Sequence, residues 1–365
     1  MSYKNTAVIC LSKVNGGMEL ASVKLARILS TDVRVDFIAK KDSYIELKSN
    51  NDFEQHNIKL YTIDFKKFFS IHMIKSIRRI IKEREIKNII FLGASEMRSL
   101  YFATLGLDVN FIIRQGSKKT TPKKDFIHKL LYSNVNSFIG NCEYIKQNII
   151  DIIPLDKNTK VQRIYSSLKL DTNTTVKELS DTIDIVLVGR IHTFKGQFEA
   201  IKTCEVLYNN NINFNIKFLG DIQDKEYYKK IESYLDDCKY SQNIEFVGYT
   251  NKVKEYLQKS DIFLFPSLGE GMSNAIIEAL GFGLIPIIYD DTSSPEFKQL
   301  GFNIHLTQNN TIKCLKEELL YICQNIEDEK KKSFNNIALA QEVFSPNREK
   351  IEYLELLNKE QGIKC

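Results

Sequence analysis

Apolar positions along this chain fall into two alternating patterns: short continuous runs, and stretches with one apolar residue per helical turn. TAVICL is a run of the first kind and leads into a turn at Gly16-Gly17. MELASVKLARILS follows, with Leu20, Val23, Leu25, Ile28 and Leu29 at helical spacing. VRVDFIA reads as a strand and FSIHMIKSIRRIIKEREI as a basic amphipathic helix. KNIIFLGAS, VNFIIRQG and VNSFIGN read as further strands, and EYIKQNIIDII as a helix that stops before Pro154. This alternation predicts a parallel sheet covered by helices.

Residues 169–182 are polar, lack periodicity and read as a linker. The rhythm then restarts. DIVLVGR, FNIKFLGD, NIEFVGY, DIFLFPS and LIPIIYD read as strands, separated by the helical segments FEAIKTCEVLYNNN, KEYYKKIESYLDDCKY, KVKEYLQKS and SNAIIEALGFG. Charged helical segments close the chain at 312–342 and 346–363. The predicted class is α/β, with two Rossmann-like β/α/β domains facing each other across a cleft. The expected spans are 1–168, a linker at 169–182, 183–345, and a terminal helix at 346–365 that crosses back to the first domain. Open α/β sheets bind ligands at the carboxyl ends of their strands, so the cleft is the expected site.

Composition narrows the class further. Apolar residues are 43% and charged residues 27%, as in an ordinary soluble globular protein. No run of 18 uncharged apolar residues occurs, so no membrane-spanning helix is expected. The opening residues show no signal-peptide pattern. Seven cysteines are scattered without a C-x-x-C pair, which argues against a zinc site or disulfide framework and for a reducing, cytoplasmic setting. Charge is unevenly distributed: residues 1–180 carry +12 and residues 181–365 carry −7. A basic first half suits a polyanionic surface or substrate, although a solvated lysine-rich surface has the same composition. It contains no nucleic-acid-binding module, so no nucleic-acid partner is expected.

Three segments carry candidate chemistry. In DIFLFPSLGEGMSNAIIEALGFG, a buried strand runs through Pro266-Ser267 into Gly269-Glu270-Gly271, and a helix starts near Ser273. Unpaired N–H groups at a helix start, with glycines beside them, suit an anion or polar ligand. Glu278 is expected two turns into that helix, where a carboxylate can accept paired hydroxyls of a sugar or ribose. The same pattern fits a capped helix with two solvated glutamates. In VLVGRIHTFKGQFEAIKT, Arg190 follows a strand and Lys195 precedes Gly196 and a helix, which places two cations where a diphosphate would sit. The third segment is the Gly16-Gly17 turn. It offers backbone N–H groups but lacks the G-x-G-x-x-G pattern of a dinucleotide site.

Taken in order, G-G near the start, G-R-x4-K-G, D-I-F-L-F-P-S and E-G-x6-E-A resemble the retaining GT-B glycosyltransferases of family 4, glycosyltransferase group 1. The resemblance implies a metal-independent hexosyltransferase with no cofactor, whose substrate is a nucleotide-sugar, UDP-linked by family frequency. Arg190 and Lys195 would contact the diphosphate and stabilise the departing nucleotide, and Glu270 would sit by the donor sugar. Gly271, Met272, Ser273 and Asn274 would hold sugar and phosphate through their backbone, and Glu278 the ribose hydroxyls. Gly16 and Gly17 would close on the phosphates, and Tyr249 would lie near the base. Many relatives carry a histidine in a turn after a strand of the first domain; here that place holds Gln115. His128, a few residues later, falls on a helix and reads as structural.

The acceptor side is read from charge. Residues 66–87 join Phe68, Phe69 and a row of isoleucines to Lys66, Lys67, Lys75, Arg78, Arg79, Lys82 and Arg84, and Lys118 and Lys119 open a second basic cluster with Lys123 and Lys124. An amphipathic basic helix can lie on anionic lipid. It can equally pack on a sheet with its cations in water. The combined expectation is a transferase on the inner face of the cytoplasmic membrane that extends a lipid-linked glycan such as lipopolysaccharide O-antigen, core or capsule. Two alternatives stay open: a catalytically silent glycan- or nucleotide-binding subunit, and a GT-B nucleotide-sugar epimerase.

Overall fold

The computed structural model describes residues 4–14, 16–93, 95–170 and 177–358. Residues 171–176 of the expected linker and 359–365 of the expected terminal helix lie outside the described residues. The chain divides into two compact units. One runs to Ser166 and resumes at Pro346; the other is Ser167–Ser345.

The first unit alternates β1 (Thr6–Cys10), α1 (Gly17–Ser30), β2 (Val35–Lys40), α2 (Tyr44–Gln55), β3 (Lys59–Ile63), α3 (Ile71–Glu83), β4 (Asn88–Leu92), α4 (Met97–Thr104), β5 (Asn110–Gln115), α5 (Phe126–Tyr132), β6 (Ser137–Gly140), α6 (Glu143–Ile152) and β7 (Lys160–Arg163). The seven strands pair in parallel, in the order β3-β2-β1-β4-β5-β6-β7. Every residue of β1 and β4 is buried, because helices cover both faces of a parallel sheet; their continuous apolar runs are the imprint of that burial. The edge strands β3 and β7 are only partly buried and correspondingly polar, KLYTI and KVQR.

The second unit contains β8 (Ile183–Val188), α7 (Gln197–Asn209), β9 (Phe214–Leu219), α8 (Lys225–Asp236), β10 (Ile244–Gly248), α9 (Val253–Gln258), β11 (Ile262–Phe265), α10 (Asn274–Gly281), β12 (Ile285–Tyr289), α11 (Ser294–Gln299), β13 (His305–Thr307), α12 (Ile312–Gln324) and α13 (Ile326–Val343). Its six-stranded parallel sheet runs β10-β9-β8-β11-β12-β13. Both units are Rossmann-like.

Helix α14 (Pro346–Asn358) belongs to the first unit and packs on α1. It buries Tyr353, Leu354, Leu356 and Leu357 in the core beneath β1 and β2. Lys24 pairs with Glu349 at 3.1 Å, and Arg348 donates to the Tyr165 carbonyl at 2.7 Å. Burying one such leucine contributes about 1.5–3 kcal/mol, so this helix is a structural member of the unit and not an appendage.

Candidate active site

Strand order locates the likeliest ligand crevice in each sheet by topology alone. In the second unit the chain builds outward from β8 to β10 and then returns to lay β11 on the other side of β8. The carboxyl ends of β8 and β11 therefore flank the switch point, where open α/β sheets take their ligands. Arg190 follows β8, Glu270 follows β11, and the start of α10 lies just beyond. Arg190, Glu270 and Asn274, each singled out from sequence, thus converge at the carboxyl ends of two central strands of one sheet.

The local geometry ties them together. A 3-10 turn, Thr193–Lys195, leads through Gly196 into α7. Gly196 has φ +75°, and a Cβ there would lie 2.2 Å from the Pro266 carbonyl oxygen, so only glycine lets the Lys195 turn pack on the loop after β11. The Lys195 side chain runs past Gly189 and Phe265, and its ammonium pairs with Glu270 Oε1. Ser267 Oγ donates to the same Glu270 oxygen at 2.7 Å and also approaches the Phe194 carbonyl at 2.9 Å. Buried Gln197 donates to the Arg190 carbonyl at 3.0 Å and accepts from the His192 N–H at 3.4 Å, which fixes the backbone that carries the exposed Arg190.

A further segment holds the glycine loop. The Gly269 N–H donates to Asp291 Oδ2 at 2.6 Å, Thr292 Oγ1 donates to the Glu270 carbonyl at 2.6 Å, and Ser293 Oγ donates to the Gly271 carbonyl at 2.7 Å. Met272 and Ser273 are buried and Asn274 is exposed at the first turn of α10. Gln197, Asp291, Thr292 and Ser293 escaped sequence reasoning, and Ser267 entered it only as part of the strand-to-loop motif. No spacing ties the turn residues after β12 to Glu270.

Glu278 corrects one expectation. Helix α10 begins at Asn274, so Glu278 stands just past the first turn and not two turns in. Burial pushes its carboxyl up from 4.5 to about 7, with Lys254 opposing the shift. Tyr249, after β10, is exposed and donates to Asn251 Oδ1 at 2.8 Å.

In the first unit the switch point lies between β1 and β4. Gly16 caps α1 and Gly17 begins it. Beside them is a carboxylate: buried Glu19 has its Oε2 2.9 Å from where a Cβ on Gly16 would stand. Glu96, after β4, is also buried, and that burial raises its carboxyl, opposed by its own amide and by Lys40. A buried carboxyl side chain thus stands next to the amides that an anion would use. Gln115, at the end of β5, donates to Asn148 Oδ1 at 2.9 Å. Lys118 and Lys119 are exposed, and Asn148 clasps the Lys119 backbone through both its N–H and carbonyl. Arg78 donates to the Ala103 and Leu105 carbonyls at 3.2 and 2.8 Å, capping α4; Arg79 approaches Glu83 at 4.0 Å, and Lys82 is exposed. Asp125 caps α5 and bonds His128, whose role is local.

Comparison with known proteins bears on the fold and the family. Residues 172–339, nearly the whole second unit, match the family model Glycosyl transferases group 1. A capsular polysaccharide biosynthesis glycosyltransferase, CapH of Staphylococcus aureus, is 28% identical over 321 residues, 83% of this chain and 88% of its own length. Among solved structures, a Rickettsia africae glycosyltransferase superposes with a TM-score of 0.83 at 16% identity over 98% of both chains. Anabaena Alr3699/HepE, solved with UDP and glucose, superposes with a TM-score of 0.78 at 15% identity over 98% of this chain and 100% of its own. The protein has the GT-B fold, and its second unit carries the match to the group 1 glycosyltransferases.

Proposed function

We propose that the protein transfers a sugar, with retention of anomeric configuration, from a UDP-sugar to a lipid-linked glycan in the assembly of a surface polysaccharide. The observation that carries this reading is the meeting of Arg190, Lys195, Glu270 and the start of α10 at the β8/β11 switch point. UDP as the nucleotide is supported by the UDP complex of the Anabaena protein, and the polysaccharide role by the name of the Staphylococcus relative.

Breaking the glycosyl–phosphate bond builds negative charge on the leaving diphosphate. Arg190, Lys195 and the α10 amides meet that charge as it grows, so they stabilise the transition state more than the ground state. In this reading these groups fill the role that a metal would, and the enzyme needs neither metal nor cofactor. Glu270 holds a donor-sugar hydroxyl, Glu278 the ribose diol, and Gly271–Asn274 the sugar and phosphate through their backbone. The acceptor hydroxyl attacks from the face that the diphosphate leaves, and a phosphate oxygen takes its proton. Gly16, Gly17, Gln115 and Tyr249 are assigned to the donor's surroundings by the resemblance alone. No described helix is long and apolar enough to cross a membrane. The reading puts the protein at the cytoplasmic membrane surface through peripheral contact.

Titration of the protein with UDP, GDP, ADP and CMP, followed by incubation with UDP-sugars alone, tests the proposal. The expected result is UDP as the tightest ligand and only slow UDP-sugar hydrolysis. Rapid conversion to an epimeric UDP-sugar would establish an epimerase instead. Absence of binding to every nucleotide would refute the donor site.

A further inference from the structure

Helix α3 is the obvious membrane element in the sequence, but its apolar stripe and one of its arginines are already engaged. Its apolar stripe, Met73, Ile77, Ile80 and Ile81, is buried on the sheet. Arg78 is committed to the carbonyls that end α4. Ile71 at the start of α3 is exposed, and further apolar side chains face solvent on the helices beside it. On α5, Phe126 is 80% exposed, Ile127 57% and Leu130 46%. Phe102 and Leu105, at α4 and its end, are also exposed, and Phe102 stacks edge-on against exposed Phe69 with ring centroids 6.0 Å apart. Helices α3, α4 and α5 pack side by side, because right-handed crossovers from β3 through β6 set them on one face of the sheet. Large apolar side chains therefore stand out from neighbouring helices of a single surface.

Cations edge this surface. Residues 116–131 contain five lysines and one acid, Asp125, which is bonded to His128. Residues 66–75 contain three lysines and no acid. Lysines flanking apolar tips suit one kind of occupant: a bilayer whose headgroups are negative and whose interior accepts the tips while the lysine stems reach back to the headgroups. A second copy of this chain would face lysine with lysine across a two-fold axis. A nucleic acid would satisfy the charge but leave the phenylalanine and isoleucine tips without a partner.

We infer that the α4–α5 face, led by Phe126 and Ile127 and flanked by Lys118, Lys119, Lys124 and Lys129, docks on an anionic lipid bilayer, and that the cationic stripe of α3 does not. The inference rests on the reading of a membrane-borne acceptor; of its presumed contact residues it keeps Lys118 and Lys119 and drops Arg78, Arg79 and Lys82. Phe126 and Ile127 enter the headgroup–acyl boundary, and the lysines pair with lipid phosphates.

Cosedimentation of the full chain with sucrose-loaded vesicles tests it, comparing phosphatidylcholine alone with phosphatidylcholine containing phosphatidylglycerol. The wild type should pellet with the anionic vesicles and much less with the neutral ones. Phe126→Ser combined with Ile127→Ser should lower the partition coefficient about tenfold or more. Lys118→Gln with Lys119→Gln should remove most of the dependence on anionic lipid, and Arg79→Gln with Lys82→Gln should leave binding near wild type. UDP affinity and melting temperature, measured alongside, should be unchanged in all three variants. The inference is overturned if the wild type stays in the supernatant, if the Phe126/Ile127 variant pellets like wild type, or if only the Arg79/Lys82 variant loses binding. A dimer in sedimentation velocity that Phe126→Ser dissociates would make a second copy the occupant, which also overturns it. Intact UDP binding with no vesicle binding defeats this inference alone; lost UDP binding defeats the donor-site reading instead.

Discussion

Lys195 and Glu270 form an ion pair across the β8/β11 edge, and Ser267 Oγ donates to the same Glu270 oxygen at 2.7 Å. The pair has a functional consequence. A diphosphate entering this edge competes with Glu270 for the Lys195 ammonium. Glu270→Gln removes the competitor and one negative charge. UDP, which carries no sugar for Glu270 to hold, should then bind more tightly to the variant while transfer from the UDP-sugar falls. Calorimetry for UDP and initial rates for transfer check both halves; weaker UDP binding would show that Glu270 supports the nucleotide.

Arg190→Ala and Lys195→Ala should each lower kcat/KM about a hundred- to a thousandfold, the usual cost of removing a group that meets developing charge. Arg190 is exposed on a loop fixed by Gln197, so its removal should move the melting temperature little, whereas Lys195 is mostly buried beside Glu270 and its removal should lower it. Rates near wild type in either variant would remove that residue from the leaving-group role.

Glu278 predicts a pH dependence. Its carboxyl titrates near 7 in the folded protein and near 4.5 as an ordinary side chain, so the folded state holds the extra proton between those values. Its contribution to stability is complete below about 4.5 and is lost as pH rises through about 7. Glu278→Gln should therefore match wild-type melting at pH 4 and exceed it at pH 8. Because a ribose diol is held best by the ionised carboxylate, UDP binding near pH 7 should release protons, and the variant should not. Calorimetry in buffers of different ionisation enthalpy reads this directly; equal proton release by variant and wild type would move the ribose away from Glu278.

Two glycines with nearly the same backbone separate conformation from packing. Gly196 and Gly248 have φ of +75° and +74°, yet only Gly196 has a neighbour in the way of a Cβ. Gly196→Ala should cost at least ~2 kcal/mol and abolish transfer, since it combines left-handed strain with overpacking against Pro266. Gly248→Ala should cost ~1 kcal/mol. Urea unfolding of each variant checks the contrast, and equal costs would discount the close approach to Pro266.

The parts of this molecule legible in its sequence are those with continuous apolar runs. Strands such as β1, β4 and β12 are buried at every position and could be read directly. Strands β3, β7 and β13 and helices α2 and α4 could not: the edge strands are half solvated, and α2 buries only Ile45, Ser49 and Phe53. In the site, Arg190, Lys195 and Glu270 were legible because each stands at the end of a buried strand or the start of a helix. Gln197 and the 291–293 turn were not, since they act through backbone groups, those held by the turn lying 22 residues away. Arg78 shows the converse. Its place in a basic helix suggested a lipid contact, whereas its guanidinium closes the end of α4.

A crystal soaked with UDP tests the central claim most directly. The account predicts the β-phosphate within hydrogen-bond distance of Arg190 and Lys195, with the ribose hydroxyls on Glu278 and the Lys195–Glu270 pair opened. Nucleotide density away from the β8/β11 edge, with that ion pair intact, would contradict it.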